Sequence, residues 1–380
     1  MLPPTPAPLE VAHVPADCRP ILHGTRGDDP APLAIVGAED VTVHHAAGIA
    51  YASAQDRRAP RGGGAVVGRL WRVDLRASPP VAWDVTPPAL STPAFRPHGI
   101  GLWPRGDGSA RLFVVNHRAD GTEAVEVMDA APGDHGAAPL ALREPITGAA
   151  LASPNDVAPV GERQVYVTND GGSPPGTLAR TLRDAAARND GNVVYYDGAR
   201  FAPALPRLPW ANGAAADPAT RRVHVASSSE GTIATLAWEG DAHPARPLGD
   251  PLPLGTRPDN IEIAPGSGPL LVAAHPSSWR FLLHSLSPRF AAPTQVVAIP
   301  RAPDGTPGGP ARTPREVLAF PTGAADGARA LPAASVAASY RDPATGRERL
   351  LLGAVFAPGL LVCDVGAAGA AGVFTPARAP

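Results

Sequence analysis

The chain has no stretch of roughly 20 apolar residues, the length a membrane-spanning helix needs, so the sequence predicts no membrane attachment of that kind. It also has no excess of basic charge. Its 33 basic and 35 acidic residues leave a formal net charge of −2, which offers no electrostatic footprint for nucleic acid. Lysine is absent, which we attribute to codon usage and not to function. Residues 1–20 lack the basic start and apolar core of a secretory signal.

Proline and glycine are abundant, with 48 and 40 residues respectively. That share lies near the level that suggests disorder, yet hydrophobic residues make up 44% of the chain. The prolines and glycines fall mainly between strand-like runs, where a β protein with many turns needs them. A chain of 380 residues also has a suitable length for one propeller domain.

A short sequence motif recurs six times, at intervals of about 50 to 75 residues. Each copy begins with one or two polar residues, here called the polar head. A weak repeat of that length with strand-like content is typical of a β-propeller, in which every blade delivers its inner strand to one central axis. We therefore predict an all-β fold, a six-bladed β-propeller with a calcium-binding central channel. The polar heads are Glu39-Asp40, His98, Asn155-Asp156, Asn212, Asp259-Asn260 and Ser335.

Each polar head is followed by an apolar run, a turn and a second β-rich run, which together predict a hairpin. The second strand of a hairpin returns to the end where the first began. We therefore expect His117, Asn169 and His275, which end such second runs, to lie on the same face as the polar heads.

The side chains at the heads are suited to a hard cation. Five of them offer carboxylate or amide oxygens, the ligands that Ca²⁺ prefers, and the two carboxylates match its charge. The five are Glu39, Asn155, Asn212, Asp259 and Asn260. Asp40 and Asp156 directly follow two of them, and because adjacent strand residues alternate in direction they could hold a second ion. The alternative is that these residues only satisfy turns and strand ends.

These phrases make the chain resemble the bacterial paraoxonase/arylesterase family of calcium-dependent six-bladed propeller hydrolases. Pro97-His98-Gly99-Ile100 followed by Val115-Asn116-His117 is much more specific than a lone Asx-rich loop. The match runs from about residue 18 to 363 with similar order and spacing. Its segments are 37–41, 95–100, 112–117, 154–157, 166–170, 211–213, 259–261, 274–276 and 353–356.

The resemblance implies two calcium ions per chain. The five oxygen ligands above would bind the catalytic ion, and Asp40, Asp156 and the main-chain carbonyl of Ile100 would bind the structural one. It also implies a catalytic dyad of His98 and His117. We assign His98 as the base because it heads a blade, and His117 as a relay, since imidazole can accept a proton near neutral pH.

Calcium-bound Asp259 is the alternative base or nucleophile, particularly on phosphotriesters. We expect His275, Trp210, Val355 and Phe356 to line the substrate pocket. Residues 56–64, which end in a run of glycines, correspond to a mobile loop over the family's pocket, although a plain solvated loop fits equally well. Residues 171–192 lack the aromatic helix that seats the animal enzymes on lipoprotein, which removes the case for membrane attachment.

The resemblance further implies that Cys18 and Cys363, the only cysteines, form a disulfide. The alternative is two reduced thiols in a cytoplasmic protein. A disulfide together with a trimmed native N-terminus would indicate a periplasmic or secreted protein. We divide the chain into a Pro-rich extension (1–17), the propeller hydrolase domain (18–365) and a tail (366–380).

The predicted function is calcium-dependent hydrolysis of a small-molecule lactone or aryl ester, with phosphotriesters as a possible side activity. The paired heads and the two histidines argue against a single-metal propeller enzyme of the gluconolactonase/senescence-marker type. A non-catalytic propeller that calcium merely stabilises is the second alternative, and the histidines argue against it more weakly. The sequence does not predict the oligomeric state or the particular ester.

Overall fold

The structure is a computed structural model that describes residues 9–11, 13, 16–23, 34–59, 67–133, 136–171, 190–239, 244–308, 313–320 and 330–365. These residues form six sheets of four or five strands each, antiparallel except where the N-terminal strands β1 and β3 pair parallel with β25 and β7 at the sheet edges. The sheets are the six blades of a β-propeller, which confirms the predicted fold. Residues 60–64 of the predicted lid, residues 172–189 of the segment compared with the animal helix, and the tail 366–380 lie outside the described residues.

Blades one to three follow one another along the chain. Blade one contains β3 (Leu22–His23), β4 (Ala38–His44), β5 (Ile49–Ala54), β6 (Arg69–Asp74) and β7 (Val81–Asp84). Blade two contains β8 (Pro97–Pro104), β9 (Ala110–His117), β10 (Glu123–Ala130), β11 (Ala141–Leu142) and β12 (Ile146–Thr147). Blade three contains β13 (Pro154–Pro159), β14 (Val165–Asn169), β15 (Asn192–Tyr196) and β16 (Phe201–Leu205).

Blade four is built from consecutive strands, whereas blades five and six each add one strand from the beginning of the chain. Blade four contains β17 (Ala211–Asp217), β18 (Arg222–Ser227), β19 (Thr232–Ala237), β20 (Arg246–Pro247) and β21 (Leu252–Pro253). Blade five contains β22 (Arg257–Ile263), β23 (Leu270–His275), β24 (Thr294–Ile299), β25 (Arg315–Phe320) and β1 (Glu10–Val11). Blade six contains β26 (Ala334–Arg341), β27 (Glu348–Ala354), β28 (Leu361–Val365) and β2 (Ala16–Pro20).

The hydrophobic core lies between the blades. Six clusters of buried side chains each join two neighbouring blades, as Leu70 and Leu112 do between blades one and two. Blades six and one meet in the same way, through Val41 and Tyr340. Middle strands are therefore covered on both faces, and a continuous apolar run such as Leu112–Val115 in β9 is buried throughout. This packing fixes each inner strand relative to its neighbours.

One α-helix occurs among the described residues, α1 (Ser278–Leu286), directly after β23. We made no prediction for this segment from the sequence. No helix in the described part of the chain is long and apolar enough to cross a membrane.

The ring is closed by strands from opposite ends of the chain. The N-terminal strand β2 pairs antiparallel with β28, the third strand of blade six, and Cys18 faces Cys363 in the register. The two cysteines form a disulfide across 345 residues of sequence, which confirms the pairing that the resemblance implied. Blade six is therefore complete only when the N-terminal segment has docked.

Removing this disulfide should destabilise the whole ring. Replacing both cysteines with alanine in a Cys18→Ala/Cys363→Ala variant removes a cross-link around a long loop, which can contribute up to about 5 kcal/mol of stability. We expect a lower melting temperature for the variant, and the same loss for the reduced wild-type protein, in thermal unfolding by circular dichroism. Equal melting temperatures for oxidised, reduced and substituted proteins would show that pairing of β2 with β28 closes the ring without help.

Candidate metal centre and active site

All six inner strands depart from regular pairing at their polar heads. The register between the first and second strand of the blade shifts at Pro154/Val157 in β13, for example, and at Ala211/Ala214 in β17. Equivalent shifts occur in β4, β8, β22 and β26. A β-bulge releases backbone from the ladder and redirects side chains. Here it lets consecutive residues such as Asn155 and Asp156 both turn towards the axis.

The inner strands also approach one another closely just after the heads. A Cβ atom on Gly99 would lie 2.5 Å from the carbonyl oxygen of Asn155 in the next blade. A Cβ atom on Gly213 would lie 2.6 Å from the carbonyl oxygen of Asp259. Glycine after His98 and Asn212 therefore permits the backbones of neighbouring blades to converge on the axis.

Four of the five predicted upper ligands present a buried oxygen that accepts no hydrogen bond from the described residues. Such atoms are rare in proteins because an unsatisfied buried acceptor costs about 1–3 kcal/mol. Four of them from four blades at one axis form a donor set of the kind that a hard cation prefers. The atoms are Glu39 Oε2, Asn155 Oδ1, Asn212 Oδ1 and Asn260 Oδ1.

The orientation of two of these amides follows from their neighbours. The Nδ2 atom of Asn212 donates to Asp259 Oδ1 at 2.6 Å and to Ser228 Oγ at 2.9 Å. The Nδ2 atom of Asn260 donates to the carbonyl and carboxylate of Glu39 at 3.1 and 3.0 Å. Because an amide oxygen would be repelled by either carboxylate, each Nδ2 must face it, and each Oδ1 must point away from it.

Asp259 and Ser335 complete the upper group without an unsatisfied oxygen. Asp259 accepts from Asn212 through Oδ1 and lies 2.7 Å from His275 Nε2 through Oδ2. Ser335, the head of blade six, donates to the main-chain carbonyl of Glu39 at 2.6 Å. Ser335 therefore positions the backbone that carries Glu39.

Glu39 is ionised in this setting. Burial raises its pKa, but the facing His98, the charge of Arg57 and a hydrogen bond from Asn260 outweigh burial and lower the pKa of Glu39 to about 2. A permanently negative oxygen therefore sits beside the unsatisfied amide oxygens, which suits a divalent cation better than a water molecule.

Asp40 and Asp156 form a second, lower group. Asp40 accepts from the backbone N–H of Ile100 at 2.8 Å, and Asp156 from that of Ala214 at 2.7 Å. Burial, and then the charge of Glu39, raise the pKa of Asp40 to about 8. Burial and the neighbouring charge of Asp40 raise that of Asp156 as well. A cation between two such carboxylates would offset both effects.

The bulges remove the reason that the sequence offered for a lower site. Strand alternation does not govern side-chain directions at an irregular register, yet Asp40 and Asp156 still meet, and a side-chain hydrogen bond between them acts on the pKa of Asp40. The backbone of Ile100 lies at this pair through its N–H group. Its carbonyl as a calcium ligand stays a prediction.

The two histidines of the predicted dyad are in contact. His98 Nδ1 lies 2.7 Å from His117 Nε2, and His117 Nδ1 lies 2.7 Å from Glu123 Oε2. A carboxylate can only accept, so Glu123 fixes the proton of His117 on Nδ1, and His117 Nε2 then accepts from His98 Nδ1. The remaining ring nitrogen of His98, Nε2, lies 3.4 Å from Glu39 Oε1.

Opposing influences act on the pKa of His98. Burial lowers it, and although the charge of Glu39 raises it, the charge of Arg57 lowers it again. Sequence reasoning did not find Glu123, which stands on the third strand of blade two and pairs with His117 in the register. The signal that could have found it is the position opposite His117 across a short turn.

Aromatic side chains form one wall beside this site. Phe281 from α1 packs against the ring of His275 at 4.0 Å between centroids and against Phe356 at 5.8 Å. The sequence named His275 and Phe356 as pocket residues but not Phe281. Val355 is buried, whereas Trp210 is 39% exposed and adopts a left-handed backbone conformation directly before β17. Their roles as pocket residues stay predictions.

The chain is similar in sequence to known proteins. A family model described as Arylesterase matches residues 64–361. The chain is 28% identical over 221 residues to serum paraoxonase/arylesterase 2 of Canis lupus familiaris, covering 57% of this chain and 60% of that protein. It is 27% identical over 219 residues to serum paraoxonase/arylesterase 1 of Mus musculus, with the same two shares. The chain thus matches about 60% of the length of these curated relatives.

A solved structure shares the fold. The structure of a luciferin-regenerating enzyme aligns with a TM-score of 0.50 at 11% sequence identity, covering 96% of this chain and 98% of that one. At that identity the likeness concerns the arrangement of the blades only.

Two asparagines of blade three give a matched test of the upper group. Asn155 has the unsatisfied oxygen, whereas Asn169 on the neighbouring strand accepts from Ser153 N at 3.1 Å and donates to Ala150 O at 3.0 Å. We expect Asn155→Ala to weaken calcium binding at least about tenfold with little change in the stability of chelator-treated protein. Asn169→Ala should instead cost about 1–3 kcal/mol of stability.

Calorimetric calcium titration and urea unfolding in chelator measure the two effects separately. If Asn155→Ala destabilised the metal-free protein as much as Asn169→Ala and left calcium binding intact, the unsatisfied oxygens would not be ligands.

Proposed function

The chain belongs to the arylesterase family, and from this membership we propose that it is a calcium-dependent hydrolase of lactones and aryl esters. The observation that carries the proposal is the set of four buried, unsatisfied oxygens at the axis, next to a histidine pair in which His98 Nε2 lies 3.4 Å from Glu39 Oε1. The names of the relatives point to ester hydrolysis, and the donor set points to the ion.

Two calcium ions per chain fit the side chains. Glu39, Asn155, Asn212, Asp259 and Asn260 would hold the upper ion, where Asp259 would keep its contacts with Asn212 and His275. Asp40, Asp156 and the carbonyl of Ile100 would hold the lower one. Oxygen ligands without thiolate or imidazole favour calcium over zinc.

Calcium at the upper position would polarise the substrate carbonyl and stabilise the negative charge that develops on its oxygen. The residues of the chain supply the proton chemistry. His98 takes a proton from the attacking water through Nε2. His98 Nδ1 donates a hydrogen bond to His117. When His98 becomes positive, His117 shares that charge and Glu123 stabilises it, so His98 binds the proton more strongly. His117 and Glu123 therefore act through His98.

Asp259 is the alternative base. Both of its oxygens already have partners, Asn212 and His275, which favours a ligand role over proton abstraction. On a phosphotriester the polarised group and the geometry of attack differ. In that reaction Asp259 could still serve as base or nucleophile. The aromatic wall of Phe281 and Phe356 favours small substrates with a planar or apolar part.

The disulfide indicates the environment in which the protein works. A buried cross-link between Cys18 and Cys363 forms and persists in oxidising compartments. We therefore place the protein in the periplasm or outside the cell.

The proposal is tested by activity and metal content together. Purified protein should contain two calcium ions per chain by elemental analysis and should hydrolyse members of a panel of γ-lactones, acyl-homoserine lactones, phenyl acetate and paraoxon. Chelation should abolish the activity and lower the melting temperature, since an ion that binds only the folded state stabilises it, and calcium should restore both. A calcium-loaded protein inactive on the whole panel would indicate a calcium-stabilised binding propeller. One ion per chain would indicate a single-metal enzyme.

Substitution of the histidines tests the proton path. We expect His98→Gln to lower kcat/KM for lactones by roughly 10²–10⁴-fold, the usual size of a general-base contribution. His117→Gln should cost less, because the side chain tunes His98 and does not contact the water. The increase of rate with pH that an imidazole base produces near neutrality should disappear in His98→Gln. A lactonase rate and pH profile equal to wild type in His98→Gln would transfer the base to Asp259.

A further inference from the structure

The guanidinium of Arg57 is short of hydrogen bonds. Both of its terminal nitrogens are buried, and neither donates a hydrogen bond to any of the described residues. The charges of Glu39 and Asp259 attract it, but burial outweighs them and lowers the pKa of Arg57. A buried charged group without hydrogen bonds is costly. Arginine keeps its charge in proteins, so deprotonation does not relieve this cost. Such an exception calls for a ligand that the protein alone does not supply.

The segment that carries Arg57 is fixed on both sides. Asp56 Oδ1 accepts from the backbone N–H groups of Arg58 at 2.9 Å and of Ala59 at 3.1 Å, which closes a turn. The side chain of Arg58 donates to the carbonyls of His284 and Phe356 and lies 5.3 Å from the centroid of the Phe356 ring. The turn is thereby tied to α1 and to the aromatic wall, so Arg57 is held in place and does not need to be recruited.

Arg57 lies within electrostatic reach of the site. The negative charges of Glu39 and Asp259 act on its guanidinium, and its positive charge in turn acts on His98. The two adjacent arginines therefore have different contacts. Arg58 anchors the turn to the aromatic wall. The terminal nitrogens of Arg57 make no hydrogen bond to the described residues, and its charge interacts with Glu39 and Asp259 at the axis.

A divalent ion at the axis would neutralise the two negative charges that act on Arg57, those of Glu39 and Asp259. Arg57 would then have neither free carboxylates to attract it nor hydrogen bonds from its terminal nitrogens to the described residues. A guanidinium in that position is electrostatically complementary to an anion.

We propose that Arg57 binds a carboxylate of the substrate, so that the preferred esters or lactones carry one negative charge away from the carbonyl that is attacked. The inference rests on the proposed hydrolase function and names its substrate class. A planar guanidinium with two free terminal nitrogens matches a carboxylate in the bidentate manner, which gives both affinity and orientation. Bound in this way, the substrate would have its aromatic or apolar part against Phe281 and Phe356.

Two aryl acetates that carry a charged or a neutral group at the same ring position test the assignment. The probes are 4-acetoxybenzoate and its methyl ester, both cleaved at the acetyl group, and the quantity is the ratio of their kcat/KM values on calcium-loaded protein. Wild type should prefer the carboxylate. Arg57→Met should lower the ratio about 10- to 100-fold, the size of one hydrogen-bonded charge interaction. Arg57→Lys should keep part of it, since lysine retains the charge but not the fork.

Arg143→Met is the matched control. Arg143 is 54% exposed and pairs with Asp129 on the outside of blade two, so this variant loses the same charge without touching the pocket. Its substrate ratio should equal that of wild type. A fall equal to that of Arg57→Met would mean that overall charge, and not Arg57, sets the preference, and would overturn the proposal.

A binding measurement separates this proposal from the hydrolase function. 4-Acetamidobenzoate and its neutral analogue 4-acetamidobenzamide contain no ester bond, and calorimetric titration of calcium-loaded protein should show tighter binding of the carboxylate in wild type but not in Arg57→Met. If neither aryl ester is cleaved while this difference holds, the choice of ester chemistry fails and the anion site stands. If the neutral ester is cleaved as well as the charged one and the amides bind alike, the anion site is wrong.

Discussion

The structure depends on one constraint: oxygen atoms from distant parts of the chain are brought to a single axis where the protein offers them no hydrogen-bond donor. The inner strands cannot satisfy these atoms, because each strand bulges at its polar head and leaves the ladder there. The free energy of folding must cover this cost unless a cation occupies the space. The calcium binding that we propose would therefore be coupled to the stability of the ring.

The propeller makes this arrangement possible through its packing between blades. Glu39 in blade one receives hydrogen bonds from Asn260 in blade five and from Ser335 in blade six. Such contacts hold only when every blade is in register with the next, and the ring is in register only when β2 has closed blade six. The disulfide between Cys18 and Cys363 keeps the ring closed and so supports the candidate metal site indirectly, without contacting it.

Much of this could be predicted from the residues. The recurring polar heads predicted six blades, and hairpin geometry placed His117 beside His98 and His275 beside Asp259, as the distances confirm. Glu123 was missed because we considered only the first two strands of each blade for site residues, although Glu123 pairs with His117 across a short turn. The side-chain directions of Asp40 and Asp156 follow from bulges, and a bulge cannot be read from alternation.

Arg57 shows a different limit. A sequence displays an arginine but not the absence of its partner, which becomes visible only when the surrounding contacts are known. We made no prediction from the sequence for residues 278–286, which form α1 and place Phe281 against His275. In both cases the feature lies outside the repeating motif, and in both cases we propose a role in substrate recognition.

The most direct measurement is an anomalous difference map from crystals grown with calcium, since it locates the ion independently of activity. We predict one peak about 2.3–2.6 Å from ligand oxygens of Glu39, Asn155, Asn212 and Asn260, the distance range for calcium, and a second between Asp40 and Asp156. A map with no anomalous density at the axis under saturating calcium, with the guanidinium of Arg57 or ordered water bonded to those oxygens, would contradict the account.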